Sequence, residues 1–331
     1  MEKIRFGVIG TNFITDWVIE GGREDKRFEL TAVCSRSEET AQAFAEKHSI
    51  PYTFTSVEAM AASPFIDAIY IASPNAFHAQ QSITCMQYGK HVLCEKAFAS
   101  NAYEARQMID TAHKQNVVLM EAMKPTLTPA FRAIQSNLKE IGVIRRYFSC
   151  YCQYSSRYDK LKEGIVLNAF QPQLSNGATM DIGIYTIYPM VVLFGRPKTI
   201  HAVGMNLFSG VDGQAAVNFT YDSGMIATVL YGKIADSTLP TEIQGEEGCI
   251  KTDRINIIGD VMLTRHKGHT ENIRPETRNN EYYYEIAEFI DLIQSGGKES
   301  TVNSLKNSLI TMEILDEIRN QLGVRFPADK E

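Results

Sequence analysis

Residues 4–17 read IRFGVIGTNFITDW, and this stretch decides the fold of the first half of the chain. The apolar run up to Ile9 predicts a buried strand, and the amphipathic stretch that begins near Phe13 predicts a helix. Between them lies Gly10, which permits a tight turn because it has no side chain. A strand, a glycine turn and a helix in this order are typical of the first unit of a dinucleotide-binding domain.

The same alternation of strand-like and helical segments continues to residue 122. Gly89 is a helix stop signal and Asn101 a helix start signal in this region. Short strands that alternate with helices predict a doubly wound parallel sheet. We therefore predict a Rossmann domain over residues 1–122. Its predicted strands lie in the segments IRFGVIG, FELTAVCS, DAIYIAS, HVLCE and VVLMEA.

The first turn keeps only part of the dinucleotide fingerprint G-x-G-x-x-G. Gly10 is present, whereas Asn12 and Thr15 replace the second and third glycines. Asn12 tolerates a left-handed backbone, and Thr15 is expected to loosen helix–strand packing slightly. A turn without any ligand explains the motif about as well, but its place in the first unit favours binding of a pyrophosphate by backbone N–H groups. The predicted cofactor contacts here are Gly10, Thr11, Asn12, Phe13 and Ile14.

The end of the second predicted strand indicates the cofactor. An acidic residue there would bind the 2′-hydroxyl of an adenosine ribose, but this chain reads Cys34-Ser35-Arg36-Ser37. Arg36 and Ser35 suit a 2′-phosphate, so NADP is favoured and NAD remains open. The alternative is that Arg36 is an ordinary solvated side chain at a helix start.

Composition excludes several classes of function. The 331 residues carry a formal net charge of -6 and no block of Lys or Arg, which argues against binding to nucleic acid or anionic membranes. The longest apolar runs are shorter than the roughly 20 residues that span a bilayer. The N-terminus has no apolar signal region, and the six cysteines include no CxxC motif, so we expect reduced thiols and a cytoplasmic protein. Cys150 and Cys152 share one strand face, but core thiols are favoured there and no metal site is predicted.

Residues beyond about 143 have a different organisation. Strand-length segments follow one another with Gly, Asp and Ser turns between them, and NFTY-DSG-MIATV reads as a hairpin. This pattern predicts a mostly antiparallel sheet that is open on one face. Two helical segments follow, EYYYEIAEFIDLIQSG and NSLKNSLITMEILDEIRNQLG. We predict an α+β domain over residues 123–331 that binds substrate and forms oligomers.

Several motifs together resemble one family. Residues 73–78 read SPNAFH and residues 89–96 read GKHVLCEK. The spacing of P-N-x-x-H and then G-K-H-V-L-x-E-K is similar to that of the Gfo/Idh/MocA family, which includes glucose–fructose oxidoreductase-like and dihydrodiol dehydrogenase-like enzymes. The segments MEAM, residues 120–123, and GATMDIGIY, residues 177–185, match further motifs in the family's order. The chain departs from the family at Ala97, where E-K-P usually has proline, and at Asn176, where a glycine is common.

The resemblance implies an NAD(P)-dependent oxidoreductase that transfers a hydride between nicotinamide and a sugar, polyol or related carbonyl compound. Lys96 is then the catalytic lysine, and Asp181 and Tyr185 act with it. A tyrosine, with a pKa near ~10, is a poor base unless a cation such as Lys96 favours its phenolate. The alternatives are a Lys96–Glu95 surface salt bridge, an Asp181 helix cap and a Tyr185 that only packs in the core.

The resemblance also implies further cofactor contacts. His78 would contact the nicotinamide ribose, although a structural histidine is nearly as well supported. Asn75 would fix a loop near the cofactor, and Glu95 would touch the nicotinamide side or hold the lysine. The remaining predicted cofactor contacts are Ser73, Pro74, Lys96 and Met123. Asn168, Lys124 and Ala97 differ from sugar-oxidising relatives, so the substrate stays open, and Tyr283 could reach the cleft.

Three functions compete on this scaffold. The first is the dehydrogenase or reductase, with a small-molecule substrate and a homodimer or homotetramer formed through the C-terminal sheet. The second is a non-catalytic nucleotide- or sugar-binding regulatory protein. The third is hydrolysis or elimination through a redox cycle of bound NAD. A sensor has no chemical need for Lys96, Asp181 and Tyr185 together, so their joint presence favours an enzyme.

Overall fold

The computed structural model describes residues 2–329 of the chain, which form two compact units. The first contains the residues up to Lys124 together with Arg278–Ser308, and the second contains Pro125–Thr277 together with the residues from Leu309 onward. The boundary predicted after residue 122 lies two residues from the structural one. The second unit is not continuous to residue 331, however, because the chain returns to the first unit between residues 278 and 308.

The first unit is built on a six-stranded sheet in which every neighbouring pair is parallel. Its strands are Ile4–Ile9 (β1), Phe28–Cys34 (β2), Tyr52–Phe54 (β3), Ala68–Ile71 (β4), His91–Glu95 (β5) and Leu119–Ala122 (β6). They lie in the order β3-β2-β1-β4-β5-β6, which is the order of a dinucleotide-binding sheet. This confirms the predicted doubly wound sheet. The sequence pattern had not shown β3, which is only three residues long.

Five helices of the first unit connect these strands, and side-chain caps fix where several of them begin. The helices are Phe13–Gly22 (α1), Glu38–His48 (α2), Val57–Ala61 (α3), Asn75–Gln87 (α4) and Ala102–Gln115 (α5). Asn101 caps α5 by accepting a hydrogen bond from the backbone N–H of Glu104 at 2.9 Å, as its position in the sequence predicted. Gly89 follows α4 with a φ of 75°, which suits the predicted helix stop.

The returning segment packs directly on the first unit. Its helix Tyr282–Ser295 (α9) crosses α1 so closely that a Cβ atom at Gly21 would lie 2.8 Å from the Cβ of Tyr282 and from the backbone nitrogen of Tyr283. Farther along, the Asn303 side-chain amide donates to the carbonyl oxygens of Glu121 and Met123 at 3.2 and 3.1 Å. These contacts close the helix layer over β1 and fasten the end of β6.

The second unit contains an eight-stranded, mostly antiparallel sheet. Its strands are Ile144–Cys152 (β7), Thr199–Asn206 (β8), Asp212–Thr220 (β9), Ile226–Gly232 (β10), Thr241–Gly245 (β11), Gly248–Thr252 (β12), Val261–Arg265 (β13) and Thr270–Asn272 (β14). They lie in the order β14-β13-β12-β11-β7-β10-β9-β8, with β7 and β10 parallel. The predicted hairpin is confirmed as β9 and β10, which pair from Thr220 opposite Ile226.

Helices cover one face of this second sheet. They are Pro129–Asn137 (α6) and Ile184–Phe194 (α8). The unit also contains Tyr158–Lys162 (α7) and the second-unit part of Leu305–Leu322 (α10), whose Gln321 side chain bonds to backbone groups of edge strand β8. The buried hydroxyl of Tyr147 on β7 donates to the carbonyl oxygen of Thr186 on α8 at 2.9 Å. Along each strand, successive side chains point alternately to the helices and to the opposite face of the sheet.

One segment of the second unit has the length and composition of a membrane-crossing helix. Pro172–Phe194 spans 23 residues and reaches a mean hydropathy of 1.3, although polar residues interrupt it and its continuous apolar runs are short, as expected. The apolar part of this segment is 72% buried inside the protein, and buried core helices of globular domains have the same length and composition.

The close crossing of α1 and α9 makes Gly21→Ala a test of the returning segment. Alanine normally stabilises a helix relative to glycine, but here its methyl group would collide with the α9 backbone. We expect the free energy of unfolding, measured by urea denaturation, to fall by about 1–3 kcal/mol. The neighbouring exposed residue supplies the control, because Glu20→Ala should change it by less than about 0.5 kcal/mol. A Gly21→Ala protein as stable as the parent would contradict this packing.

Candidate active site

The turn after β1 is shaped by a close backbone approach. Gly10 has a φ of 103°, and a Cβ atom there would lie 2.7 Å from the carbonyl oxygen of Ala72 at the end of β4. The Asn12 side chain donates to the same carbonyl at 2.8 Å and accepts from the backbone N–H of Ile14 at 2.8 Å. Gly10 and Asn12 therefore hold together the ends of the two strands at which the strand order of the sheet reverses.

The structure shows how Asn12 and Thr15 replace two glycines of the motif. Asn12 is not left-handed: its φ of -89° and ψ of 173° are extended, as its capping role for α1 requires. Thr15 does not loosen the packing, because it is fully buried and its hydroxyl donates to the carbonyl oxygen of Gly10 at 3.1 Å. A hydroxyl that bonds back to the turn thus takes the place of the third glycine.

The loop after β2 presents hydroxyl groups and one cation. Ser37 caps α2, and the Ser35 and Thr40 hydroxyl oxygens lie 2.6 Å apart. Arg36 is exposed in the same loop. The loop therefore offers donors for an anion and carries no carboxylate before Glu38.

His78 joins the two motif-bearing loops of the first unit. Its side chain is fully buried, with Nδ1 2.8 Å from the carbonyl oxygen of Ala97 and Nε2 2.8 Å from that of Ser73. Burial lowers the pKa of His78, the charge of Lys96 acts in the same direction, and the two carbonyl groups oppose them. Both ring nitrogens are engaged by protein groups, so the geometry supports the structural role rather than a contact with a ribose.

Glu95 and Lys96 lie at the end of β5. The buried hydroxyl of Tyr70 donates to Glu95 Oε1 at 2.6 Å, and the backbone N–H of Lys96 donates to Glu95 Oε2 at 3.2 Å. Burial raises the pKa of Glu95, while Lys96 and the Tyr70 hydrogen bond oppose the rise. The Lys96–Ala97 peptide bond is cis. Glu95 is thus held from β4 by Tyr70 and is bonded to the backbone of the lysine segment.

Further acidic groups lie inside the first unit near Glu95. Burial raises the pKa of Glu121 to about 8, and it raises that of Glu285 on α9 well above the usual range, with the charge of Glu95 adding to the effect. Lys124 pairs with Glu281 at 2.9 Å, with both side chains about nine-tenths buried. The returning segment therefore supplies two carboxyl groups to this region, which no local sequence signal indicated.

In the second unit, Asp181 lies on a π-helical turn, Thr179–Gly183, that leads into α8. Such turns occur frequently at functional sites. Asp181 is not the helix cap that its sequence position suggested, since the backbone is already helical at Ala178. The wider turn also changes the expected i, i+4 alignment of Asp181 and Tyr185. Tyr185 is half-buried and its ring centroid lies 5.8 Å from that of Tyr151, so it is not a fully enclosed core residue.

Two residues of the adjoining strand segment hold this turn in place. Lys233, which directly follows β10, donates from Nζ to Asp181 Oδ2 at 2.7 Å. Tyr231 lies 2.8 Å from the hydroxyl of Thr179, and that hydroxyl donates to Asp212 Oδ2 at 2.7 Å. Asp212 is fully buried, which raises its pKa. Sequence reasoning missed Lys233, Asp212 and Tyr231, and the lysine that follows the apolar run IATVLYG was the one available signal.

The predicted site residues thus fall into two groups. In the first unit, hydrogen bonds connect the Gly10 turn to β4, and they connect the Ser73 loop through His78 to the loop that follows Lys96. Met123 is buried beside Lys124, with its carbonyl held by Asn303. In the second unit, Asp181 and Tyr185 share the π turn and the start of α8. Tyr283 belongs to the first unit, where the guanidinium carbon of Arg278 lies 3.8 Å from the centroid of its ring.

Within residues 2–329, no group of three or more His, Cys, Asp or Glu side chains is arranged to hold a metal ion. The six cysteines form no disulfide. The Sγ atoms of Cys150 and Cys152 lie 3.8 Å apart on one face of β7, as their spacing predicted.

Two family models match the chain. The model for the oxidoreductase family with an NAD-binding Rossmann fold matches residues 4–123, and the Gfo/Idh/MocA C-terminal domain model matches residues 136–251.

Curated relatives match along almost the whole chain. The NADP-dependent scyllo-inositol 2-dehydrogenase IolU of Bacillus subtilis is 49% identical over 99% of this chain and 99% of its own. Trans-1,2-dihydrobenzene-1,2-diol dehydrogenase of Xenopus tropicalis is 30% identical over 90% of this chain and 91% of its own.

Solved structures have the same fold. KijD10, a 3-ketoreductase from Actinomadura kijaniata in complex with NADP and TDP-benzene, superposes with a TM-score of 0.84 at 22% identity, over 97% of this chain and 98% of that one. At this level of identity the likeness concerns the fold alone.

The burial of His78 predicts a pH dependence of stability. Because the pKa of His78 is lowered in the folded protein, the unfolded chain binds more protons once the pH falls below about 6.5. We expect the free energy of unfolding to decrease as the pH falls below about 6.5, with a slope from this group of at most about 1.4 kcal/mol per pH unit.

Denaturation at several pH values checks this expectation. His78→Gln should be less stable at neutral pH but should lack this part of the slope, and the exposed His113→Gln should behave like the parent. If the parent instead gained stability relative to His78→Gln on acidification, His78 would be cationic in the fold.

Proposed function

The chain belongs to the Gfo/Idh/MocA family of oxidoreductases, and from this premise we propose that it is an NADP-preferring dehydrogenase or reductase acting on a CH–OH group of a polyol or sugar. One observation carries the proposal. The chain carries Lys96 at the end of β5 in the first unit and, in the second unit, Asp181 and Tyr185 at a braced π turn and the helix start that follows it. A protein that only sensed a ligand would not need this set of proton-handling groups.

The first unit suits the cofactor in shape and in donor chemistry. At Gly10 a side chain would collide with Ala72, and the first turn of α1 points its N-terminal N–H groups toward the turn. Asn12 already caps Ile14 and Thr15, so the N–H groups earlier in the turn would hold a pyrophosphate. Arg36 with the hydroxyls of Ser35 and Ser37 would hold a 2′-phosphate. When bound, NADP supplies the hydride acceptor for oxidation and, in its reduced form, the donor.

The protein residues then handle the substrate oxygen and its proton. The ammonium group of Lys96 would donate a hydrogen bond to that oxygen and stabilise the negative charge that develops on it. Tyr185 would accept the hydroxyl proton in oxidation and return it in reduction. Asp181 would orient the substrate, and its negative charge would offset the positive charges of Lys96 and Lys233.

A cyclic polyol is the substrate class to test first. The relatives named above act on scyllo-inositol and on a dihydrobenzenediol, both rings with adjacent hydroxyl-bearing carbons. A panel of inositols, dihydrodiols, aldoses and ketoses, followed by NADPH absorbance, tests the proposal. Absence of turnover across this panel in both directions would count against it.

We also propose a cytoplasmic homo-oligomer that assembles through the open face of the second sheet. Strand register places Val203, Ala216, Leu230 and Cys150 in one row on that face, and Val203 is 71% exposed. Met205 on β8 and Ile226 on β10, exposed at 46% and 45%, lie on the same face. Exposed apolar side chains on one sheet face, such as Val203, Met205 and Ile226, are typical of subunit interfaces. The unpaired cysteines suit a reducing compartment.

Cofactor choice is tested at Arg36. Arg36→Ala removes one charge-assisted contact, so NADP(H) binding measured by calorimetry should weaken by about 1.5–3 kcal/mol. NAD(H) affinity should be unchanged, and Arg36→Lys should lose less because it keeps the charge. Equal affinities for the two cofactors in the parent protein would contradict the predicted preference.

The proton-transfer assignment is tested by a double-mutant cycle. Tyr185→Phe should lower turnover by roughly 10²–10⁴-fold, and Lys96→Met should lower it strongly while leaving NADP affinity largely intact. If the two residues act in one step, the double variant should be little worse than Lys96→Met. Tyr221→Phe, which removes another hydroxyl of the second unit, is the control and should retain turnover. Near-full turnover of Tyr185→Phe across the pH range would exclude its acid–base role.

A further inference from the structure

Lys233 is a buried lysine behind the Asp181 carboxylate. Its side chain is 3% exposed, whereas that of Asp181 is 33% exposed. The ammonium group donates to Asp181 Oδ2 at 2.7 Å and to the carbonyl oxygen of Ala169 at 3.1 Å, and it lies 5.0 Å from the ring centroid of Phe170. Lys233 therefore contacts Asp181 from the interior of the second unit, while the carboxylate keeps a solvent-accessible side.

The backbone of Lys233 is itself fixed on both sides. Its N–H donates to the carbonyl oxygen of Gly213 at 2.8 Å, and its carbonyl accepts from the N–H of Ser155 at 2.9 Å. Two residues earlier on the same side of the strand, Tyr231 contacts the Thr179 hydroxyl at 2.8 Å. The start of the π turn and its carboxylate are thus both held from one rigid strand segment.

A buried ion pair of this kind is poorly explained by stability. Withdrawal of an ammonium group from water is expensive, and apolar replacements of buried pairs are often neutral or stabilising. Besides Lys233, the titratable groups around this turn include Asp212 and Tyr231 from the sheet, which contact Thr179, and Tyr185 on α8. Burial raises the pKa of Asp212, whose Oδ2 is already used by Thr179, and it raises that of the Tyr231 phenol as well. Asp181 is therefore the carboxylate that the Lys233 charge serves.

We propose that Lys233 is a positioning residue, which keeps the Asp181 carboxylate charged and in one orientation and couples it to the segment Asn168–Phe170. This inference rests on the proposed function for its catalytic consequence. Its structural core, the control of Asp181 by Lys233, can be measured without turnover. An orientation set by a rigid strand reduces the reorganisation needed when a substrate hydroxyl binds to Asp181.

The first arm of the test follows the ionisation of Asp181 directly. In protein labelled with carbon-13 at aspartate carboxyl carbons, the Asp181 signal is identified by its loss in Asp181→Asn. Lys233→Gln keeps a donor for the Ala169 carbonyl, whereas Lys233→Met removes it, and both remove the charge. The Asp181 titration midpoint should move to higher pH in both variants. An unchanged midpoint in the variants that fold would overturn the proposal.

A matched control separates charge from general loosening of the turn. Tyr231→Phe removes a buried hydrogen bond from the same strand side without touching Asp181, so it should lower thermal stability but leave the Asp181 midpoint in place. Lys233→Arg keeps the charge and should also leave the midpoint near that of the parent. If Tyr231→Phe moved the midpoint as far as Lys233→Gln does, the effect would be structural and the proposal would fail.

The second arm measures the catalytic consequence on a substrate found in the panel. Lys233→Gln should lower kcat on the order of 10²-fold, with NADP affinity unchanged, because the group on which it acts is misplaced. In the Asp181→Asn background the same substitution should have little further effect. Multiplicative losses would show that Lys233 does not act through Asp181. If the parent protein turned over no substrate, the proposed function would fail, while the first arm would still decide the role of Lys233.

Discussion

The close approach of the Gly10 turn to the end of β4 is the constraint on which the first unit depends. No side chain fits between Gly10 and the Ala72 carbonyl, so the backbone itself forms the floor of the switch point in the parallel sheet. From there a continuous series of contacts leads through the Ser73 loop and His78 to Ala97 and the lysine segment. The position of Lys96 is therefore coupled to the turn that would bind the cofactor.

In each unit, a buried side chain holds a carboxyl group by a hydrogen bond. In the first unit Tyr70 holds Glu95 from a neighbouring strand, and in the second Lys233 holds Asp181 from β10. Each partner is more deeply buried than the group it holds, so the held group has little freedom to relax. Preorganised charge of this kind costs stability through desolvation, and it is retained where chemistry benefits from it.

The buried acids of the first unit show how far the returning segment shapes the region around Lys96. Glu281 neutralises Lys124 and Glu285 adds a carboxyl group close to Glu95, although both follow that residue by more than 180 positions in the chain. Burial and the charge of Glu95 raise the pKa of both Glu285 and Glu121, so the three carboxyl groups influence one another's ionisation. The segment is thus a structural part of the first unit and also sets its electrostatics.

Much of this protein was determined by local sequence. Apolar periods of two and 3.6 residues specified the strands and helices, Asn101 specified a helix start, and Gly10 specified the turn, because each of these acts through neighbours in the chain. The tertiary structure alone decided the return of residues 278–308 to the first unit, the pairing of Lys233 with Asp181, and the enclosure of His78 between two carbonyl groups. These features depend on contacts between residues distant in sequence. No period or motif encodes such contacts, since burial and partner distance exist only once the sheets have formed.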